Sequence, residues 1–166
     1  MKNPLMLATV LSALLLAGVA HSAPLVGDRA VYIGKSVTGS GTQKQESSFR
    51  LSREVLRIDL PGSRVLERIT TTPGTTEERW IELDQFISDE TLTQVVSNCP
   101  QYGRPDRFQT PAGAFDVCGV PVDGPEGFGQ WWIAQVPYAI VRSLTISRDG
   151  LSETTLELES YSKGTL

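Results

Sequence analysis

Cys99 and Cys118 are the only cysteines in the chain, and their type and spacing admit three chemistries: a metal pair, a redox pair or a covalent staple. A thioredoxin-like centre needs C-x-x-C, and this gap is far wider. A structural zinc site needs two more nitrogen or sulfur ligands, and the sequence has none to offer. In an oxidising compartment an even pair closes a disulfide. The staple is the expected state.

The other groups able to do chemistry are the carboxylates Asp116, Asp123 and Glu126, with Lys35 and Lys163 as conceivable bases. The only histidine, His21, falls in a segment expected to be removed. That excludes Ser-His-Asp hydrolysis, histidine-ligated zinc or haem, and any imidazole base. Paired carboxylates can hydrolyse glycosides. Nothing in the spacing fixes a separation, however, and among 19 acidic residues some proximity arises by chance. Residues 39–42 (GSGT) lack the lysine and helix context of a phosphate loop. The chain is expected to be non-catalytic, without metal or cofactor.

The N-terminus explains the compartment. Lys2 precedes an apolar run from Leu5 to Val19, and Ala20-His21-Ser22 places small residues at both cleavage-site positions. A signal peptide over residues 1–22, cut after Ser22, and a periplasmic location are expected. The run is too short to span a bilayer, so no transmembrane helix is expected in the mature chain. No cysteine follows it that would carry a lipid anchor. Residues 23–166 then form one domain. With a net charge of −4 and no basic run, the chain offers nucleic-acid phosphates little to bind.

The elements that must position these groups are mostly strands. In residues 29–38 (RAVYIGKSVT), Val31, Ile33 and Val37 share one parity; a polar loop is expected at 39–48. Phe49 and Leu51 are odd-numbered but Leu56, Ile58 and Leu60 even, so a bulge near Ser52 to Glu54 must shift the face. Turns at Pro61-Gly62 and Pro73-Gly74 frame a hairpin with Trp80, Ile81 and Leu83 as its bulk. The segment SDETLTQVVSNC predicts a helix with Ser88 as N-cap and Asp89 and Glu90 at its positive end. Leu92, Val95, Val96 and Cys99 form one apolar stripe, and Pro100 ends it.

Pro111-Ala112-Gly113 turns into a strand holding Cys118, residues 123–129 (DGPEGFG) read as a Gly/Pro loop, and QWWIAQV follows as a strand. Asp149-Gly150 leads into a last strand with Leu156 and Leu158 on one face and Glu153, Glu157 and Glu159 on the other, solvated one. The sum is mainly β, in the α+β sense. It is a curved antiparallel sheet or unclosed β-barrel of about eight or nine strands with one main helix packed on it.

Thr110-Pro111-Ala112-Gly113-Ala114-Phe115-Asp116 resembles the T-P-A-G-T-F-x turn of an uncharacterised family of exported bacterial domains. In that family a tryptophan-bearing strand and a V-P-x-G-[LIV]-V-K segment follow, matched here by Trp131-Trp132-Ile133 and by VPYAIVR. Ala139 stands at the glycine and Arg142 at the lysine. In order of elements the family is similar to the LolA/LolB-like periplasmic lipoprotein carriers, which implies an unclosed barrel with helices in its mouth.

The function expected from this combination is binding of a lipid or other apolar ligand on the concave face. Leu92, Phe115, Trp131, Trp132 and Tyr138 are its candidate lining. Each is equally able to pack a dry core, and the adjacent tryptophans must point to opposite sides of their strand. The alternative is an envelope interaction protein that docks a protein partner through a sheet edge or an exposed tryptophan.

Overall fold

A computed structural model describes residues 24–165, apart from 42 and 126. The expected signal segment and Glu126 lie outside the described residues. The elements are β1 (Arg29–Thr38), β2 (Gln45–Asp59), β3 (Arg64–Thr72) and β4 (Thr76–Glu82), then a 3-10 turn at Leu83–Gln85. Helices α1 (Asp89–Ser97) and α2 (Cys99–Tyr102) follow, and then β5 (Arg104–Thr110), β6 (Gly113–Gly124), β7 (Gly127–Ile133), β8 (Ile140–Ser147) and β9 (Ser152–Ser162). All nine strands belong to one antiparallel sheet in the order β4-β3-β2-β1-β9-β8-β7-β6-β5. It does not close. β4 and β5 are left as its two edges.

The first half of β6 pairs only with β5, and β7 takes up pairing from Cys118 onward. The β5–β6 hairpin thus runs past β7, and the Phe115 ring reaches Tyr161 on β9 at 6.1 Å. Ala30, Tyr32, Val117, Ala134, Val136, Val141 and Leu158 form the core there. A second cluster joins Leu92, Val95 and Cys99 of the helices to Cys118, Val120, Ile133 and Ala139. The Cys99–Cys118 disulfide, with Cα atoms 5.5 Å apart, lies in this cluster.

The helix forms as its sequence dictates. Ser88 Oγ accepts from the Thr91 amide at 3.1 Å, and Leu92 and Val95 are buried. Ser88→Ala should cost about 1 kcal/mol in urea unfolding, the usual value of such a cap. Pro100 does not simply end the helix: it opens the separate turn of α2, where its missing N–H costs nothing.

Other expectations need correction. In β1 Ala30 and Tyr32 face the core and Val31 is buried on the opposite side, whereas Ile33 is 46% exposed. The aliphatic count missed this because the buried face is made by a phenol, an alanine and Gly34, where a Cβ would come within 2.3 Å of the Phe49 ring. The parity switch in β2 is real, but the extra residue is Leu56, since Val55 still pairs with Glu67 and Arg57 with Leu66.

β2 begins at Gln45, so the polar loop is shorter than expected; its first residues are exposed and carry no apolar signal. Residues 123–129 are not a loop either. Residues 123–124 end β6 and residues 127–129 begin β7, and a Cβ on Gly129 would meet the Leu144 carbonyl oxygen at 1.9 Å. Those glycines serve close strand approach. Trp80 adds no bulk to its hairpin, being exposed, and Leu83 lies in the 3-10 turn beyond it.

Candidate functional site

Of the five residues expected to line a ligand site, Leu92 and Tyr138 border one small concavity, while Phe115 and Trp132 pack against the first core cluster and Trp131 against the second. Trp132 meets Phe108 edge-on at 5.4 Å, with the Arg142 guanidinium over both rings. Trp131 sits beside the disulfide and helices. A concavity of about 60 Å³ between Leu92, Ile87, Phe86, Val136 and Tyr138 is what remains near these residues. A polar groove of about 180 Å³ lies on the other side of β1–β3, lined by Arg29, Arg50, Arg68 and their neighbours. Ligand pockets run to roughly 300–1,000 Å³. Neither is of that size.

The groups considered for catalysis are scattered. Asp116 faces Arg107 at 3.8 Å, Lys35 holds Glu46 at 2.8 Å, Lys163 lies 3.6 Å from Asp89, and Asp123 pairs with Arg148. These are separate surface ion pairs.

A different set of residues does converge. Strand register places Tyr32 of β1, Arg53 and Val55 of β2, Glu67 of β3 and Arg79 of β4 on one face. The Glu67 side chain is 0% exposed. Its Oε1 accepts from Arg53 Nε at 2.5 Å, and its Oε2 has Arg79 Nε at 3.6 Å, in ionic contact without a hydrogen bond. Arg53 in turn lies 4.3 Å over the ring of Tyr138. The hydroxyls of Tyr32 and Tyr138 are also buried, that of Tyr32 without a hydrogen-bond partner and that of Tyr138 beside the Glu67 carboxylate, to which it can donate. Polar atoms so sparsely partnered are unusual in a folded interior.

Backbone geometry adds to the picture. Tyr138 and Ala139 have φ of 62° and 63°, a left-handed pair without glycine. Such strain persists only where the surroundings hold it, and it gathers at functional sites. The hydroxyls respond to the same surroundings. Burial raises the pKa of Tyr32, with Arg53 lowering it and Glu67 raising it. Burial again raises that of Tyr138, helped by Glu67 and opposed by Arg53.

Both phenols therefore stay neutral in the folded protein at a pH where unfolded tyrosines, near pKa 10, ionise. Their stabilising contribution is complete below about pH 10 and falls as pH rises beyond it, by up to about 1.4 kcal/mol per unit for each group. Urea midpoints should drop steeply above about pH 10, and Tyr32→Phe should flatten that drop.

Tyr138 is the one residue of this cluster that the sequence analysis singled out. Glu67, Arg53 and Tyr32 were missed. The readable sign was a carboxylate at Glu67 on the parity of Val65 and Ile69, where a core residue belongs.

Behind the cluster lies the β4 edge. Six of its seven residues are exposed, Ile81 alone being half-buried, and it contains no proline. Trp80 is 42% exposed, flanked by Arg64 at 5.1 Å. The opposite edge is blunted: β5 carries Pro105, which lacks an amide hydrogen, and packs near α2. Fold and site together define an open nine-stranded antiparallel sheet, with helices over one end and a free edge at the other.

No protein-family model matches the chain, and no curated protein matches it. Among solved structures it is similar to a protein of Bacteroides fragilis described as exported with a YmcC-like fold, at 16% identity over 87% of this chain and 100% of that one, TM-score 0.47. It is similar to MucB of the Pseudomonas aeruginosa MucA/MucB complex at 13% identity over 82% of this chain, TM-score 0.41, and spans about half (52%) of that chain. A protein of Parabacteroides distasonis described as a lipoprotein gives 14% identity over 86% and 98%, TM-score 0.44. These are distant likenesses, and none of the three is named as a LolA/LolB-like carrier.

Proposed function

We propose that this is a non-catalytic protein of the bacterial envelope that docks an extended segment of a partner protein by strand addition on β4. The observation that carries this reading is the β4 edge itself, a proline-free strand whose unpaired amides and carbonyls face solvent beside an exposed tryptophan. Glu78 is paired with Arg68 at 2.8 Å, and with Glu77 and Glu82 against Arg79 the strand favours a basic segment over an acidic one. Export fits the signal-like N-terminus and the Cys99–Cys118 disulfide, which belongs to an oxidising compartment. The apolar ligand expected from the sequence has no support in the geometry, because the candidate lining residues pack against the protein's own core.

Photo-crosslinking residues placed at Glu77 or Glu82 of β4, and at Arg107 of β5 as control, test this in the native envelope. The expected result is a discrete adduct with one envelope protein from β4 alone. Trp80→Ala should weaken that adduct about tenfold and change folding stability by less than about 0.5 kcal/mol. Equal labelling from both edges, or none from β4, would sink the proposal.

A further inference from the structure

We infer that the docked segment presents an arginine or lysine beside Arg79, and that its charged head reaches Glu67 Oε2 and the hydroxyl of Tyr138. This rests on the strand-addition reading and names the chemistry of its partner. Residues paired side by side across an antiparallel sheet project to the same face, so a partner residue next to Arg79 shares the face of Glu67. It stands two strand spacings from β3, roughly 10 Å, which a long basic side chain and the Glu67 side chain bridge between them.

The receiving groups are already in place. Glu67 is fully buried, with Oε1 held by Arg53 and Oε2 left the Tyr138 hydroxyl as its one close donor, and a buried carboxylate in that state gains from a charged donor. The Tyr138 oxygen can accept from the same head group while its own hydrogen points to Glu67. On the β4 side stands Arg79, whose side chain is 53% exposed and lies 3.6 Å from Oε2. It can therefore yield to solvent. A neutral or acidic residue at that partner position would leave Oε2 as it stands, or place a second carboxylate against Glu67.

The test uses the full mature protein and two short alternating Thr-Val peptides, one with a central arginine and one with glutamine there. Amide chemical shifts of β4 report docking, and titration gives the affinity ratio. The arginine peptide should bind about tenfold tighter, and Glu67→Gln should bring the ratio close to one while β4 shifts persist. Should that variant fail to fold, Tyr138→Phe should still lower the ratio. If both peptides dock on β4 with equal affinity, the contact with Glu67 is wrong and strand addition survives. If neither peptide moves the β4 amides, both readings fall.

Discussion

Removing the disulfide as Cys99→Ala/Cys118→Ala should lower the free energy of unfolding by about 3 kcal/mol, most of it through the unfolded chain. The linked residues are 19 apart in sequence, and loop closure over that length restricts the denatured ensemble by about this amount. In the folded state the bond joins the first residue of α2 to β6, at the centre of the cluster that holds α1 to the sheet. Global urea unfolding with and without reductant measures the total. Hydrogen exchange should show the α1 amides losing protection first, because that helix is fastened by Leu92, Val95 and this link. A loss below about 1 kcal/mol would mean that packing alone seats the helix.

Leu158→Ala should be similarly severe, at about 3 kcal/mol, within the range found for leucine-to-alanine changes at buried sites. Leu158 is 0% exposed on β9, pairs with Tyr32, and packs within the cluster of Ala30, Val117, Ala134, Val136 and Val141. Those neighbours are fixed by strands on several sides and cannot close the space left behind. Leu151→Ala is the control: that side chain is half exposed at the β8–β9 turn and should cost little. Equal effects of the two changes, measured by urea unfolding, would contradict the burial described for β9.

The fold class was legible because turns and one helix are local. Asp149-Gly150, Pro111-Ala112-Gly113 and Ser88 all act where their residue types say they should. Burial was legible only where aliphatic residues carry it, as in Leu156 and Leu158. It was misread in β1, where Tyr32 and Ala30 face inward, and at Gly127 and Gly129, whose glycines mark close strand approach instead of a loop.

The candidate site was harder to see. Glu67, Arg53 and Tyr138 come from segments far apart in sequence, and a charge on a core parity reads locally as a surface strand. The openness of β4 was equally hidden. Trp80 and Ile81 look like core in isolation, and only the sheet order shows that no strand among the described residues pairs beyond them.

The sheet order has a consequence for how the chain reaches this state. β1 and β9 are paired at the middle of the sheet, and Gly164 N–H donates to Asp28 Oδ1 across 136 residues of sequence. β1–β4 form one run of hairpins and β5–β9 another, and strand pairing joins the two halves along that seam alone. Contacts of such long range form slowly. The sheet therefore cannot be completed before the last strand is available, and that strand acts as a keystone: until β9 is in place the two runs of hairpins have no shared seam.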